Sequence, residues 1–301
     1  MAKTVFCEGI YDFELLRYLK KNENLANIVI QATGGKTNMK HFVQARATIN
    51  SVLQNQFFII RDRDFDFSNT LHDELYQNLN KVVAGKVSSQ KTEIWTEKTE
   101  QQPIQNQTVA YQEFVLKRIC IENYFLDFND LVLFNDDKVK ELNSLQNCKA
   151  IFDQAATDLI HYAAIRHSLG LCKKNIWTDI RLATSLAKNK QLPKNLDTNT
   201  LIQAVENAIN TYKMQVDKKV LFKDFYTKYL HFLSLFENPT FIQGNHYLEF
   251  FSASDLQNQV ETLLIKQQTG FSFAKFYEYQ IQKFDYNTFP DWVEFVNELR
   301  S

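Results

Sequence analysis

Glycine and proline are scarce in this chain of 301 residues, seven and four respectively. So few of either argue against a disordered polypeptide, a Gly-rich linker or a turn-dense all-β fold, and they favour long helices. Also lacking is an excess of charge. Lys and Arg number 34 against 35 Asp and Glu, a net charge of −1, so no whole-molecule basic field draws in polyanions. Any nucleic-acid contact must rest on local cationic patches or on bound metal. Cys7, Cys120, Cys148 and Cys172 form no CxxC pair and no zinc spacing; all four are expected to be reduced and structural. No run approaches the ~18–20 apolar residues of a membrane span, and no signal peptide opens the chain. A cytoplasmic protein without membrane association is therefore expected. What is there is 45% hydrophobic and rich in Phe (25) and Tyr (13), and long enough for two domains of ~100–200 residues each.

The N-terminal quarter alternates strand and helix. Apolar runs at Lys3–Cys7, Asn27–Ala32 and Gln56–Ile60 read as strands, the third apolar on both faces as parallel strands covered by helices are. Between them, helical periodicity marks Asp12–Lys21 and Asn38–Gln54. The pattern βαβαβ predicts an α/β fold with a mainly parallel, Rossmann-like sheet flanked by helices. A polar insertion over about 68–110 reads as a flexible loop or hairpin tip, with Glu93–Thr96 as a candidate strand. Glu113–Ile121 is strand-like. The remainder reads as helices at Cys148–Ser168 (with Gly170 as C-cap), Leu201–Tyr212, Phe222–Phe236, Asp255–Lys266, Phe273–Phe284 and Asp291–Leu299. Two domains are expected, residues 1–145 and a helical region 146–301.

The chemistry-bearing residues are acids. Glu8 follows the first strand, and Asp62, Asp64 and Asp66 follow the third at period two, so an extended chain would point all three to one side. In an open α/β sheet ligands bind beyond these carboxyl ends. Convergent carboxylates repel and raise one another's pKa. A hard cation with carboxylate and water ligands, Mg²⁺ or Mn²⁺, removes the conflict and can orient and polarise a phosphate. The bland alternative is a solvated acidic turn.

Glu8-Gly9-x-x-Asp12, followed about fifty residues later by Asp62-x-Asp64, resembles the Toprim domain of topoisomerases, primases and overcoming-lysogenization-defect nucleases. The resemblance implies that Glu8 is catalytic or metal-linked and that Asp62 and Asp64 bind Mg²⁺, with Asp66 a further candidate. Phe6–Asp12, Gly34–Asn38, Ile60–Asp64 and Ile121-Glu122-Asn123-Tyr124 occur in that order. The set is similar to stand-alone Toprim proteins encoded beside ABC-type ATPases, including the AriB-type effectors of PARIS anti-phage systems. This implies an RNase acting on tRNA, restrained by the ATPase, and adds Glu122 as a candidate ligand or base. The Toprim motifs cover about the first quarter of the chain; the helical remainder matches only in length and character.

Gly35-Lys36-Thr37 resembles the end of a Walker A loop, but the glycine that pattern needs at position 30 is Ile30. Lys36 is instead a candidate charge stabiliser, or a solvated lysine in a tight turn. Lys36, Lys40 and Arg63 are the candidate nucleic-acid contacts, although alternation turns Arg61 and Arg63 away from the aspartates and favours a structural role. The six histidines are scattered. Lys213–Tyr229, with lysines among aromatics, reads as an amphipathic helix more readily than as a single-strand RNA platform. Three functions are carried forward: a Mg²⁺-dependent endonuclease on RNA or DNA, a nucleotidyl transferase or strand-passing enzyme, and a non-catalytic adaptor. A homodimer is compatible with each.

Overall fold

The computed structural model describes residues 3–49, 56–64, 96–104, 107–173, 195–213, 222–264 and 271–301. The fold is α/β, and the chain divides into two compact units. The first comprises Met1–Arg63, Gln90–Phe125 and Ser272–Ser301, and the second Asp64–Ser89 and Leu126–Phe271.

The first unit is built on a five-stranded sheet of order β2-β1-β3-β5-β4, where β1 is Lys3–Cys7, β2 Ile28–Ala32, β3 Gln56–Arg61, β4 Thr96–Ile104 and β5 Gln107–Val115. Four strands run parallel, and β4 pairs antiparallel with β5. Two helices make the crossovers, α1 (Ile10–Asn22) and α2 (Lys36–Ile49). The central strands β1 and β3 are apolar on both faces, as buried parallel strands are. Phe6, Phe57, Ile59 and Tyr111 pack with Met39 and Val43 of α2. Val5, Leu16 and Leu19 border one small void with Leu299. Phe114 stacks on Phe58 and meets the edge of Phe295.

Leu299 and Phe295 belong to the last helix, so the expected division at residue 145 needs correcting. The first unit ends at Phe125, and the C-terminal segment returns to complete it. The physical reason is coverage. A sheet with two apolar faces needs helices on both; α11 (Pro290–Arg300) supplies part of that cover, and α10 (Phe273–Ile281) packs on α1 and on the Ile121–Phe125 turn. Lys3, itself buried, donates to the carbonyls of Glu298 and Leu299 at 2.8 and 3.1 Å. Pro290 opens α11, where its missing N–H costs nothing.

Of the polar stretch, residues 68–95 lie outside the described residues, and Thr96–Ile104 forms strand β4, which pairs antiparallel with β5 as a hairpin does and not as a loop. An edge strand needs only backbone pairing on one side, and it tolerates Pro103, which stands opposite Thr108. The tip at residues 105–106 and the candidate strand Glu93–Thr96, except Thr96, lie outside the described residues. β5 stops at Val115, earlier than the strand-like run to Ile121, and Ile121–Phe125 is a 3-10 turn.

The second unit is helical: α3 (Phe128–Asn135), α4 (Leu145–Lys173), α5 (Thr198–Lys213), α6 (Phe222–Phe236), α7 (Pro239–Gln243), α8 (Tyr247–Phe250) and α9 (Ala253–Leu263). α4 runs through its centre and does not end at Gly170, because Leu171 and Cys172 continue the buried surface. Arg166 forms a buried ion pair with Asp255 of α9. Phe232, Phe236, Phe241 and Phe251 pack ring against ring. α6 turns Phe225, Tyr229 and Phe232 inward and leaves Lys223 exposed, the amphipathic reading of this segment. His161 bonds to the Tyr229 hydroxyl and His167 to the Phe250 carbonyl, so both are structural. All four cysteines are buried free thiols. Among the described residues no helix is long and apolar enough to cross a membrane.

If α11 completes the first unit, Phe295→Ala, which empties a fully buried aromatic site, should cost about 3–5 kcal/mol. A urea unfolding midpoint unchanged from wild type would contradict this packing role.

Candidate functional site

β1 and β3 are hydrogen-bonded neighbours running in the same direction, with Phe6 opposite Ile59. Continuing that register puts Glu8 level with Arg61, one residue short of Asp62. The carboxyl ends of the first and third strands therefore lie side by side. Strict alternation beyond the strands would send Glu8 and Asp62 to opposite faces. The chain bends at Glu8 and Gly9 instead, and Glu8 lies close enough to Asp12 for its charge to raise that residue's pKa.

Asp12 is the residue that the sequence reading quoted but did not single out as a site. It sits in the first turn of α1 and is 3% exposed. Its Oδ2 accepts the N–H of Gly9 at 3.0 Å, half of a capping box. Its Oδ1 is buried with no hydrogen-bond partner among the described residues. Burial raises its pKa to about 7, the Gly9 N–H opposes the rise, and the charges of Glu122 and Glu8 add to it. A signal was available. An acid four residues after Glu8, at N3 of the helix, must share the space where that strand ends. Helix capping explains such an acid equally well, and burial cannot be read from one position.

Glu122 reaches this place through an anchored turn. Asp62 Oδ1 accepts the N–H of Ile121 at 2.8 Å, tying the end of β3 to the start of the 3-10 turn. Asn123, wholly buried, accepts the N–H of Cys120 at 3.2 Å. The Tyr124 hydroxyl donates to Asp291 and accepts the Arg118 N–H at 3.0 Å, while the Lys117 N–H donates to Asp291 at 3.1 Å. Burial pushes the Tyr124 phenol well above its ordinary range, and the Asp291 charge adds to the rise. Ile121, Asn123 and Tyr124 thus hold the turn, and half-buried Glu122 acts on Asp12 and on Tyr11. Tyr11 itself sits edge-on to Tyr277, with ring centres 5.8 Å apart.

Several expectations change. Asp62 and Asp64 do not line one side of an extended chain. β3 ends at Arg61, Asp64 adopts φ +53°, and Asp66 lies outside the described residues. The left-handed backbone at Asp64, which aspartate tolerates, breaks the period-two pattern, and Asp64 falls in the second unit. Arg63, a candidate phosphate contact, is 0% exposed, so its guanidinium is not at a surface that a phosphodiester reaches. Arg61 has the structural role: it is buried and ion-paired with Glu113 of the neighbouring strand.

Gly34 and Gly35 have φ of +70° and +145°, the conformations that make glycine necessary in the turn into α2. Lys36 opens that helix and Lys40 follows one turn later; their side chains lie outside the described set.

Asp12, Glu8 and Glu122 offer hard oxygen donors, and the unsatisfied Asp12 Oδ1 is what a cation would use. The donor chemistry fits Mg²⁺ or Mn²⁺. Among the described residues, no group of three or more His, Cys, Asp or Glu is drawn together as a metal cage. Mg²⁺ needs none: it is commonly held by one or two carboxylates, waters and substrate phosphate.

Comparison with protein-family models, with curated proteins and with solved structures finds no match for this chain.

The folded protein keeps the Asp12 proton up to about pH 7, whereas the ordinary aspartate value is 3.8. Without divalent ions, this residue should therefore make the fold less stable as pH rises across that window, by at most a few kcal/mol. Asp12→Asn should flatten that part of a stability–pH curve measured in EDTA. A curve that keeps the wild-type slope would contradict the assignment.

Proposed function

We propose that this chain is a Mg²⁺-dependent nuclease of Toprim type, with Mn²⁺ able to substitute, that hydrolyses phosphodiester bonds in RNA such as tRNA. In the same reading it is a cytoplasmic effector of anti-phage defence restrained by an ABC-type ATPase. One observation supports the catalytic part most. A buried carboxylate with an unsatisfied oxygen, Asp12, shares the carboxyl end of the central strands with Glu8 and Glu122. Selection for stability alone disfavours such a cluster, because each buried charge raises the cost of the next.

Asp12 and Glu8 would be the carboxylate ligands, with waters and substrate phosphate completing the set; Glu122 stands beside them on the turn that Asp62 holds. Bound there, Mg²⁺ supplies charge neutralisation and orientation of the scissile phosphate. The chain's own residues supply the proton handling. Asp12, whose pKa burial raises to about 7 in the ion-free protein, would be matched to take a proton from attacking water or to return one to the leaving oxygen in a complex where Glu8 and waters hold the ion. Lys36 would stabilise charge on the phosphate from the start of α2. The contribution of Asp64 rests on the family resemblance.

A second reading, a non-catalytic adaptor, draws on the capping bond from Gly9 to Asp12, which gives that acid a structural use. Cleavage separates the two. With Mg²⁺ and candidate ATPase activators present, wild type should cut tRNA or single-stranded RNA, and Glu8→Ala and Asp12→Asn should lose ~10²-fold or more in rate. Wild type and Glu8→Ala equally inert on RNA and DNA under those conditions would remove the support for a nuclease.

A further inference from the structure

We propose that the outer edge of β2 is a docking site for an extended acidic peptide, which adds to the sheet as a further strand. β2 ends the sheet, with β1 on its inner side. The ladder fixes which peptide groups are engaged. Lys3 N–H donates to Asn27 O at 3.1 Å and Thr33 N–H to Cys7 O at 2.9 Å, with Lys3 opposite Ile28 and Cys7 opposite Ala32. In a parallel pair this parity turns the N–H and C=O groups of Val29 and Gln31 toward β1, and those of Ile28, Ile30 and Ala32 outward. At Ile28 both outward groups have partners: its N–H reaches Leu25 O, and its carbonyl accepts from Lys20 Nζ at 2.6 Å. Ile30 and Ala32 present outward groups that no other described strand pairs.

The flanks of this edge state what kind of strand fits. On the α1 side lies an open groove of about 350 Å³ lined by Phe13, Arg17, Lys20, Lys21 and Ile30. Its floor is apolar and its rim carries three cations, of which Lys21 is exposed, Arg17 also pairs with Glu14 at 3.2 Å and Lys20 holds the Ile28 carbonyl. On the other side Val29 is 42% exposed, an apolar side chain at an unblocked edge. Natural edge strands are ordinarily guarded by a proline, a bulge or a charge on the strand itself, and Ile28–Ala32 carries none. Backbone pairing gives such an addition its affinity, and alternate side chains give it specificity. An incoming strand with carboxylates on one face and apolar residues on the other meets the cations of α1 and also covers Val29. The cations also argue against a second copy pairing β2 with β2, because that would set like charges on facing edges.

The test uses the full chain and a blocked heptapeptide alternating glutamate and valine. Amide hydrogen exchange by NMR should slow at Ile30 and Ala32 on addition of the peptide. Val29 and Gln31, already bonded to β1, should stay as they were. The doubly reversed variant Arg17→Glu, Lys21→Glu lies on an exposed helix face and should weaken binding about tenfold or more. A lysine–valine heptapeptide should not bind. The proposal is overturned if Ile30 and Ala32 are already protected in the free protein, or if saturating glutamate–valine peptide leaves their exchange unchanged. It is also overturned if single-stranded oligouridine occupies the groove and the acidic peptide does not. None of these readouts depends on the cleavage activity of the acid cluster.

Discussion

Negative charge held out of water at the end of β1 is the constraint around which the first unit is organised. Asp12 is buried by its place in the first turn of α1, and Glu8 and Glu122 lie close enough to oppose its ionisation. Only one of its oxygens is satisfied, by Gly9. A group in this state is either protonated near neutral pH or answered by a cation. Each outcome is chemically useful: the first gives an acid–base group tuned to physiological pH, the second a seat for a divalent ion.

That arrangement depends on segments far apart in the chain. Asp62, just beyond β3, holds Ile121, and Asp291, at the start of the last helix, holds Tyr124. Glu122 lies between these two anchors. The helix that carries Phe295 and Leu299 therefore covers the sheet and fixes the turn, and the helix that carries Tyr277 packs on the turn and on α1. This is why the C-terminal segment groups with the first unit and not with the helices that precede it. Asp62, first considered as a ligand, is in this geometry also a positioning residue. Its carboxylate accepts the Ile121 amide and so fixes where the turn begins.

Much of the architecture was legible because hydrophobic periodicity and the local physics agreed. Lys3–Cys7 and Phe222–Phe236 begin and end where their apolar patterns do, and the βαβαβ order implied a parallel sheet. The misses have distinct causes. β4 is polar because an edge strand is held by its backbone, so no alternation announced it. Gly170 failed as a helix stop because tertiary burial of Leu171 and Cys172 outweighed local propensity. The return of α11 to the sheet and of α10 to α1 are long-range contacts that a one-dimensional pattern does not carry. At the site, Glu8 and the strand-end geometry were visible in the sequence. The turn at Asp64, the burial of Arg63 and the tight environment of Asp12 were not, since each depends on what packs above the strand ends.

The central claim is that Asp12 of α1 and Glu8, just beyond β1, seat one divalent ion beside Glu122 of the 3-10 turn. The most direct measurement is paramagnetic broadening of backbone amide signals by substoichiometric Mn²⁺. The account predicts that Gly9, Asp12, Ile121 and Glu122 broaden together, and that excess Mg²⁺ restores them. Broadening confined to unrelated surface acids, with these four signals sharp, would contradict it.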